Sequence, residues 1–377
     1  MIDAGLWKRA QWYPVQGERD WLDTVNREVR AVRSSVGICD VSTLGKIDVQ
    51  GPDAARLLDF VYANSFSTVG IGRVRYGLML REDGFVFDDG TAARLGPDHF
   101  IMSTTTANAE AVTEHLEFCS QVLRPELDVQ FASVTEQWAQ FSIAGPRARD
   151  LLEAVLDPAS ASDADSMPHM SVRNVKTRSG IEARVFRLSF SGELGFEIAI
   201  PSRFGGAMWE ALIARCEPMG GCAYGTEALA TLRIEKGHVA GPELNGTTTA
   251  HDLGFGKILS SKKDYIGKVM AQRSALTDPG RETLVGVRPC RSGARLRAGA
   301  LLVTDTSAPG AADDQGRITS AAFSPDIQQW IGLGLVRNGG ARLGERLLAY
   351  DPMRGENVPV EICAPVFVDP EGGRTRA

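Results

Sequence analysis

A strand that ends in Gly-Pro and runs directly into a helix occurs twice in this chain, and that repetition constrains its fold more than any other feature. Val49-Gln50-Gly51-Pro52-Asp53-Ala54-Ala55-Arg56-Leu57-Leu58 is echoed by Ile143-Ala144-Gly145-Pro146-Arg147-Ala148-Arg149-Asp150-Leu151-Leu152. In both, proline sits near the first turn of the helix, where its missing N–H costs nothing. The two Gly-Pro pairs lie 94 residues apart. A second strand-then-helix segment follows each at similar spacing: Phe100-Ile101-Met102 leading into 107–118, and Phe196-Glu197-Ile198 leading into 207–213. The pattern predicts an α+β fold of duplicated split βαβ (ferredoxin-like) units. Their pseudo-symmetric junction is a natural place for a ligand cavity.

The remainder of the 377 residues divides at Thr277-Asp278-Pro279-Gly280, whose composition is that of a linker. Before it, a helix is expected over 226–236, then a Gly- and Thr-rich stretch over 241–249. After it, short apolar runs at 284–287, 300–303, 334–336 and 359–362 are punctuated by Gly and Pro, which predicts a small C-terminal β-barrel. The expected domains are 1–275 and 280–377.

Several function classes are disfavoured by composition and motifs. Lys plus Arg total 41 against 47 Asp plus Glu, with no long basic stripe, so neither nucleic acid nor an anionic membrane is the expected partner. No apolar run reaches membrane-spanning length and the N-terminus does not read as a secretory signal, so the cytoplasm is the expected compartment. The six cysteines are scattered without a CxxC pair and read as reduced core thiols. Five histidines show no two-His spacing on one helix face, so no metal site is expected. There is no nucleophile elbow or phosphate loop, and Gly332-Leu333-Gly334 lacks the third glycine of a dinucleotide fingerprint because Arg337 stands there. Flavin, nicotinamide and ATP binding through the usual loops therefore have no motif in this sequence.

Two acid sites carry the chemistry that remains. Asp83-Gly84 between two apolar runs is a hairpin signal, which makes Asp83 structural. Asp88-Asp89-Gly90 reads either as another turn or as a carboxylate at a strand end, placed to stabilise a developing cation or to position an amine. Tyr76, on the paired strand, reaches the same ligand or belongs to the core. Glu197 alternates with Phe196 and Ile198, so it faces away from the apolar side together with Ala199, toward solvent or a pocket. A carboxylate enclosed there needs paired donors, and the adjacent N–H groups of a flat heterocycle would supply them. Glu193, in a Gly-bounded turn, is expected to be more solvated than Glu197. Arg233 is expected to bind an anion or to pair with Glu227 or Glu235.

The runs 35–42, 84–90, 191–198 and 232–237 together resemble the tetrahydrofolate-binding aminomethyltransferase family, defined by the glycine cleavage T-protein. Further runs at 43–48, 134–138, 189–193 and 237–243 resemble its branch formed by the C-terminal half of the heterotetrameric sarcosine oxidase α subunit. The resemblance implies a folate-binding region followed by a barrel, with Asp89 as the catalytic acid near the folate N5 and N10. Glu197 takes the place of the residue that holds the pterin ring, and Tyr76 and Arg233 complete the cofactor-binding set. Phe190 stands where glycine cleavage proteins usually have tyrosine. The implied activity is capture of an iminium or formaldehyde unit from an N-methyl amine such as sarcosine, giving 5,10-methylenetetrahydrofolate, with flavin on separate partner subunits. Two alternatives are a free-standing folate-dependent demethylase acting on a betaine-like or sulfonium donor, and a non-catalytic folate-binding scaffold.

Overall fold

The computed structural model describes residues 1–304 and 309–377, apart from the side chains at 165 and 311. Two sheets carry the duplicated part. One has the strand order Val74–Leu80, Val86–Gly96, His99–Thr104, Gly45–Gln50, Gln130–Ser133. The other runs Ser171–Lys176, Glu182–Arg187, Gly195–Pro201, Trp138–Ala144, Gly37–Asp40, with the short Cys222–Ala223 at its edge. Their first five strands correspond one to one by position. Leaving aside the edge strand Cys222–Ala223, each sheet is one strand larger than a four-stranded split βαβ, because a meander of three antiparallel strands follows the helix after the Gly-Pro turn.

The repeated Gly-Pro pairs occupy equivalent places. Gly51 and Gly145 both adopt φ near +133°, a backbone setting open to glycine and strained for other residues. A Cβ would fall 2.4 Å from Asp128 O at the first and 2.4 Å from Ser35 O at the second. The helices Ala54–Val61 and Ala148–Val155 start from these turns, Ala54 N donating to Gly51 O at 3.0 Å and Ala148 N to Gly145 O at 2.9 Å. Leu57, Leu58 and Val61 then pack onto the first sheet, and Leu151, Leu152 and Val155 onto the second.

Helices cover the outer face of each sheet, and the inner faces meet. Val74, Ala93 and Ile101 from the first sheet form one apolar cluster with Val172, Phe186 and Ala199 from the second. The equivalent strands Val74–Leu80 and Ser171–Lys176 also join edge to edge, Val172 N donating to Gly72 O and Val74 N to Met170 O, each at 2.9 Å. The duplication therefore closes on itself about this junction.

A closed six-stranded barrel follows, in the order Glu282–Pro289, Gln329–Arg337, Asp314–Ser324, Leu301–Val303, Arg346–Asp351, Glu356–Cys363. Asp314–Ser324 and Arg346–Asp351 were not foreseen, since their charged and small residues break the apolar alternation. The helix Thr226–Lys236 falls where expected and ends at Gly237 in the left-handed conformation. It packs on the barrel through Ile234, against Ile331 and Leu333. Cys39, Cys119 and Cys216 are buried, but Cys290 is exposed, so the cysteines are not all core thiols. Among the described residues no helix is long and apolar enough to cross a membrane, and no cluster of His, Cys, Asp and Glu could hold a metal ion.

Candidate active site

Strand alternation sends the two acids of the Asp88-Asp89 pair to opposite faces of the first sheet. Asp88 is buried beside the start of the following helix, accepting from Thr105 Oγ1 at 2.8 Å and Asn108 Nδ2 at 3.0 Å. Asp89 faces inward and accepts from Tyr76 Oη at 2.9 Å. Burial, reinforced by the neighbouring Asp88 charge, pushes the Asp89 carboxyl up to about 7, against the lowering effect of the Tyr76 bond. Burial and the facing Asp89 charge likewise raise the Tyr76 phenol. The ring of Tyr76 packs on Phe255 at 5.7 Å between centroids. Asp88-Asp89-Gly90 is therefore strand, not turn: Gly90 is paired with Gly77 and Thr104.

Register extends this site across the sheet. Tyr76 is opposite Thr91, Thr91 opposite Ser103, and Ser103 opposite Lys46. Cross-strand partners share a face, so these four residues form a polar row on the inner side, with Asp89 adjoining it two residues before Thr91. Thr91 Oγ1 and Ser103 Oγ are hydrogen-bonded at 3.1 Å.

Glu197 meets that row from the other sheet. Phe196, Ile198 and Ile200 point into the helix-covered core, which leaves Glu197 and Ala199 on the inner face. Glu197 does not face open solvent. It lines a pocket in the seam between the sheets with Lys46, Thr91 and Ser103 from the first sheet and Gln140 and Arg184 from its own. Gln140 Nε2 donates to Glu197 Oε2 at 2.5 Å. Burial raises the Glu197 carboxyl, opposed by the Gln140 bond and the Lys46 charge. The free space in the pocket is small, about 20 Å³.

Arg233 stands apart from this constellation. The residue is 5% exposed, and its guanidinium donates to Glu243 Oε2 at 2.8 Å, Ser320 Oγ at 2.5 Å and His238 O at 3.1 Å. The partner is neither Glu227 nor Glu235; Glu235 instead pairs with Arg33. Glu193 also departs from expectation: it is 3% exposed and receives Arg33 Nη1 at 2.6 Å and Arg374 Nη1 at 2.7 Å. Phe190 is an exposed ring, 5.7 Å from that of His238. A larger cavity of about 280 Å³ lies at the barrel junction, but its Arg281 and Asp252 already pair at 2.6 Å and it contains none of the expected site residues.

Lys46, Thr91, Ser103 and Gln140 were missed from sequence. Lys46 alternates with Ile47 and Val49 together with Asp48 and Gln50, so the sequence reads it as one of the polar-face residues of a strand and carries no signal for it.

Two facing sheets with an acid on each side of the seam, carrying an appended barrel, make up a body built by duplication. The GCVT N-terminal domain matches residues 1–263 and the glycine cleavage T-protein C-terminal barrel domain matches residues 283–369. The chain belongs to the glycine cleavage T-protein family. It is 48% identical over 375 residues to the sarcosine oxidase subunit alpha of Rhizobium meliloti (strain 1021), covering 99% of this chain and 38% of that protein. It therefore spans well under half of that relative. An aminomethyltransferase of Streptomyces coelicolor is 30% identical over 349 residues, covering 89% of this chain and 87% of the relative. The crystal structure of the glycine cleavage system aminomethyltransferase T from Bartonella henselae shares the fold, with a TM-score of 0.79 at 23% identity over 96% of this chain and 92% of that one.

Proposed function

We propose that this chain is a folate-dependent one-carbon transferase that binds tetrahydrofolate at the seam and takes up an iminium or formaldehyde unit derived from an N-methyl amine such as sarcosine. The observation that carries the reading is the pairing of two inward acids in different settings: Asp89 held by Tyr76, and Glu197 held by Gln140. Glu197 keeps lone pairs for two adjacent N–H donors, which suits the edge of a pterin ring entering a narrow pocket. Tetrahydrofolate, when bound, supplies the amine that accepts the one-carbon unit. Asp89, whose carboxyl sits near 7, holds or takes a proton at that amine and favours the positive charge that develops beside it. Tyr76 fixes the direction of the Asp89 carboxylate. Arg233, spent on Glu243, holds the barrel to the folate-binding part instead of touching the ligand.

The similarity to sarcosine oxidase α subunits supports a role beside separate flavin-containing subunits that oxidise the amine. Calorimetry with tetrahydrofolate, followed by methylene transfer from formaldehyde, tests the reading on the chain alone. Binding with capture of formaldehyde is the expected result. Absence of binding would overturn it, and methyl transfer from a betaine or sulfonium donor without any flavoprotein would replace the substrate class.

A further inference from the structure

Lys46 is 3% exposed, yet it lies on a strand facing the seam beside Ile101 and Met102. An apolar residue would serve packing better there, because an enclosed ammonium is costly unless matched. Its Nζ donates to two neutral carbonyls, Ser42 O and Leu44 O, each at 2.9 Å, and it makes no ion pair among the described residues. The acids that feel its charge are Glu197 and Asp40. Ser42 joins the two halves of the arrangement: its Oγ accepts from Gln140 N at 2.9 Å, and Gln140 Nε2 in turn donates to Glu197. Lys46 thus pins the Ser42 backbone, the Ser42 hydroxyl holds the Gln140 backbone, and the Gln140 side chain holds Glu197, so three separate bonds position the carboxylate from one sheet to the other.

We propose that Lys46 is a positioning residue for Glu197: through Ser42 and Gln140 it fixes the carboxylate's direction, and its charge keeps that carboxylate in the ionised form a ring's N–H donors need. The inference rests on the folate reading of Glu197 and assigns Lys46 no contact with the ligand. Burial raises Glu197, and Lys46 is the cation that opposes this; burial in turn lowers the Lys46 ammonium to about 8. The other titratable groups around the pair are Arg184 on the same pocket, Tyr224 and Asp40. Arg184 is turned over the Trp138 ring, 4.7 Å from its centroid, and the cation whose charge acts on Glu197 is Lys46.

The test has two readouts on the full chain. In the free protein, carboxyl NMR titration of Glu197, assigned with Glu197→Gln, is expected to show a midpoint about one pH unit higher in Lys46→Met, and close to wild type in Lys46→Arg. Calorimetry with tetrahydrofolate is expected to show weaker binding in Lys46→Met than in wild type, the ratio approaching about tenfold at pH values below both midpoints and closing as pH rises and Glu197 ionises. An unmoved midpoint overturns the inference, as does a binding loss equal at every pH, which marks a merely structural lysine. A shifted midpoint in a protein that never binds tetrahydrofolate keeps the Lys46 coupling and overturns the folate reading alone.

Discussion

Tyr76 donates its hydroxyl hydrogen to Asp89 across a strand pair in which the two are diagonal neighbours, Tyr76 lying opposite Thr91 and Asp89 opposite Leu78. That single donor does not offset the burial of Asp89 or the charge of Asp88, so the carboxyl titrates near 7 instead of at its ordinary 3.8. The folded chain then binds this proton more tightly than the unfolded chain. Stability from Asp89 is complete below about pH 4 and is lost as pH rises through 7.

Replacing Asp89 by Asn removes that cost. Asp89→Asn is expected to be about as stable as wild type near pH 4.5 and more stable by roughly 2–4 kcal/mol at pH 8. Urea denaturation at both values checks it. Equal stabilities at pH 8 would mean that Asp89 is not strained by its surroundings and has no reserve of poised charge.

The two Gly-Pro turns should respond alike to the same insult. Gly51→Ala and Gly145→Ala each place a Cβ 2.4 Å from a backbone oxygen at a φ of +133°, so each should cost about 2 kcal/mol or more. Thermal melts of the two variants decide whether the duplicated units are equally dependent on their glycines.

Local signals made the duplication legible: a glycine, a proline and an apolar helix face lie within ten residues of one another. The helix Thr226–Lys236 was equally local, since its periodicity and Gly237 both sit in one short run. The seam was not legible, because it depends on register between distant strands. Lys46 meets Ser103 and Ser103 meets Thr91 only once three strands are aligned, and Gln140 reaches Glu197 across 57 residues. Glu193 looked solvated because its turn gave no hint of Arg33, 160 residues away. Asp89 and Glu197 could be singled out as odd acids, and alternation placed Glu197 off the apolar face, but what the two acids meet was settled by long-range pairing alone.

Arg233 and Glu243 offer a separate test of architecture against ligand binding. Their pair is buried, and Glu243 also accepts from Thr319 and Ser320 of the barrel strand Asp314–Ser324 at 2.6 Å each. Removing one partner leaves the other charge unmatched, so Arg233→Met should destabilise the fold by roughly 3–5 kcal/mol. The double variant Arg233→Met/Glu243→Leu should recover part of that loss. Tetrahydrofolate affinity of the double variant, measured where it is folded, is expected to stay near wild type; a selective loss of affinity would return Arg233 to the ligand site.

The division of labour between the two acids is the most direct test of the chemistry. Glu197 is assigned to ground-state recognition, since its carboxylate is fixed by Gln140 in the seam pocket, where it would face the edge of the proposed pterin ring. Glu197→Gln swaps one acceptor oxygen for a donor, and should weaken tetrahydrofolate binding by about 1.5–3 kcal/mol, the range for hydrogen bonds to a charged group. Asp89 is assigned to charge that develops only as the one-carbon unit is taken up. Asp89→Asn keeps the shape and an acceptor for Tyr76, so affinity should hold while transfer slows by about 10²–10³, the size of one preorganised electrostatic contact. Calorimetry gives the first quantity and single-turnover methylene formation the second. Equal losses of affinity in both variants would make Asp89 a binding residue, whereas wild-type transfer in Asp89→Asn would leave the strained acid pair without a catalytic role.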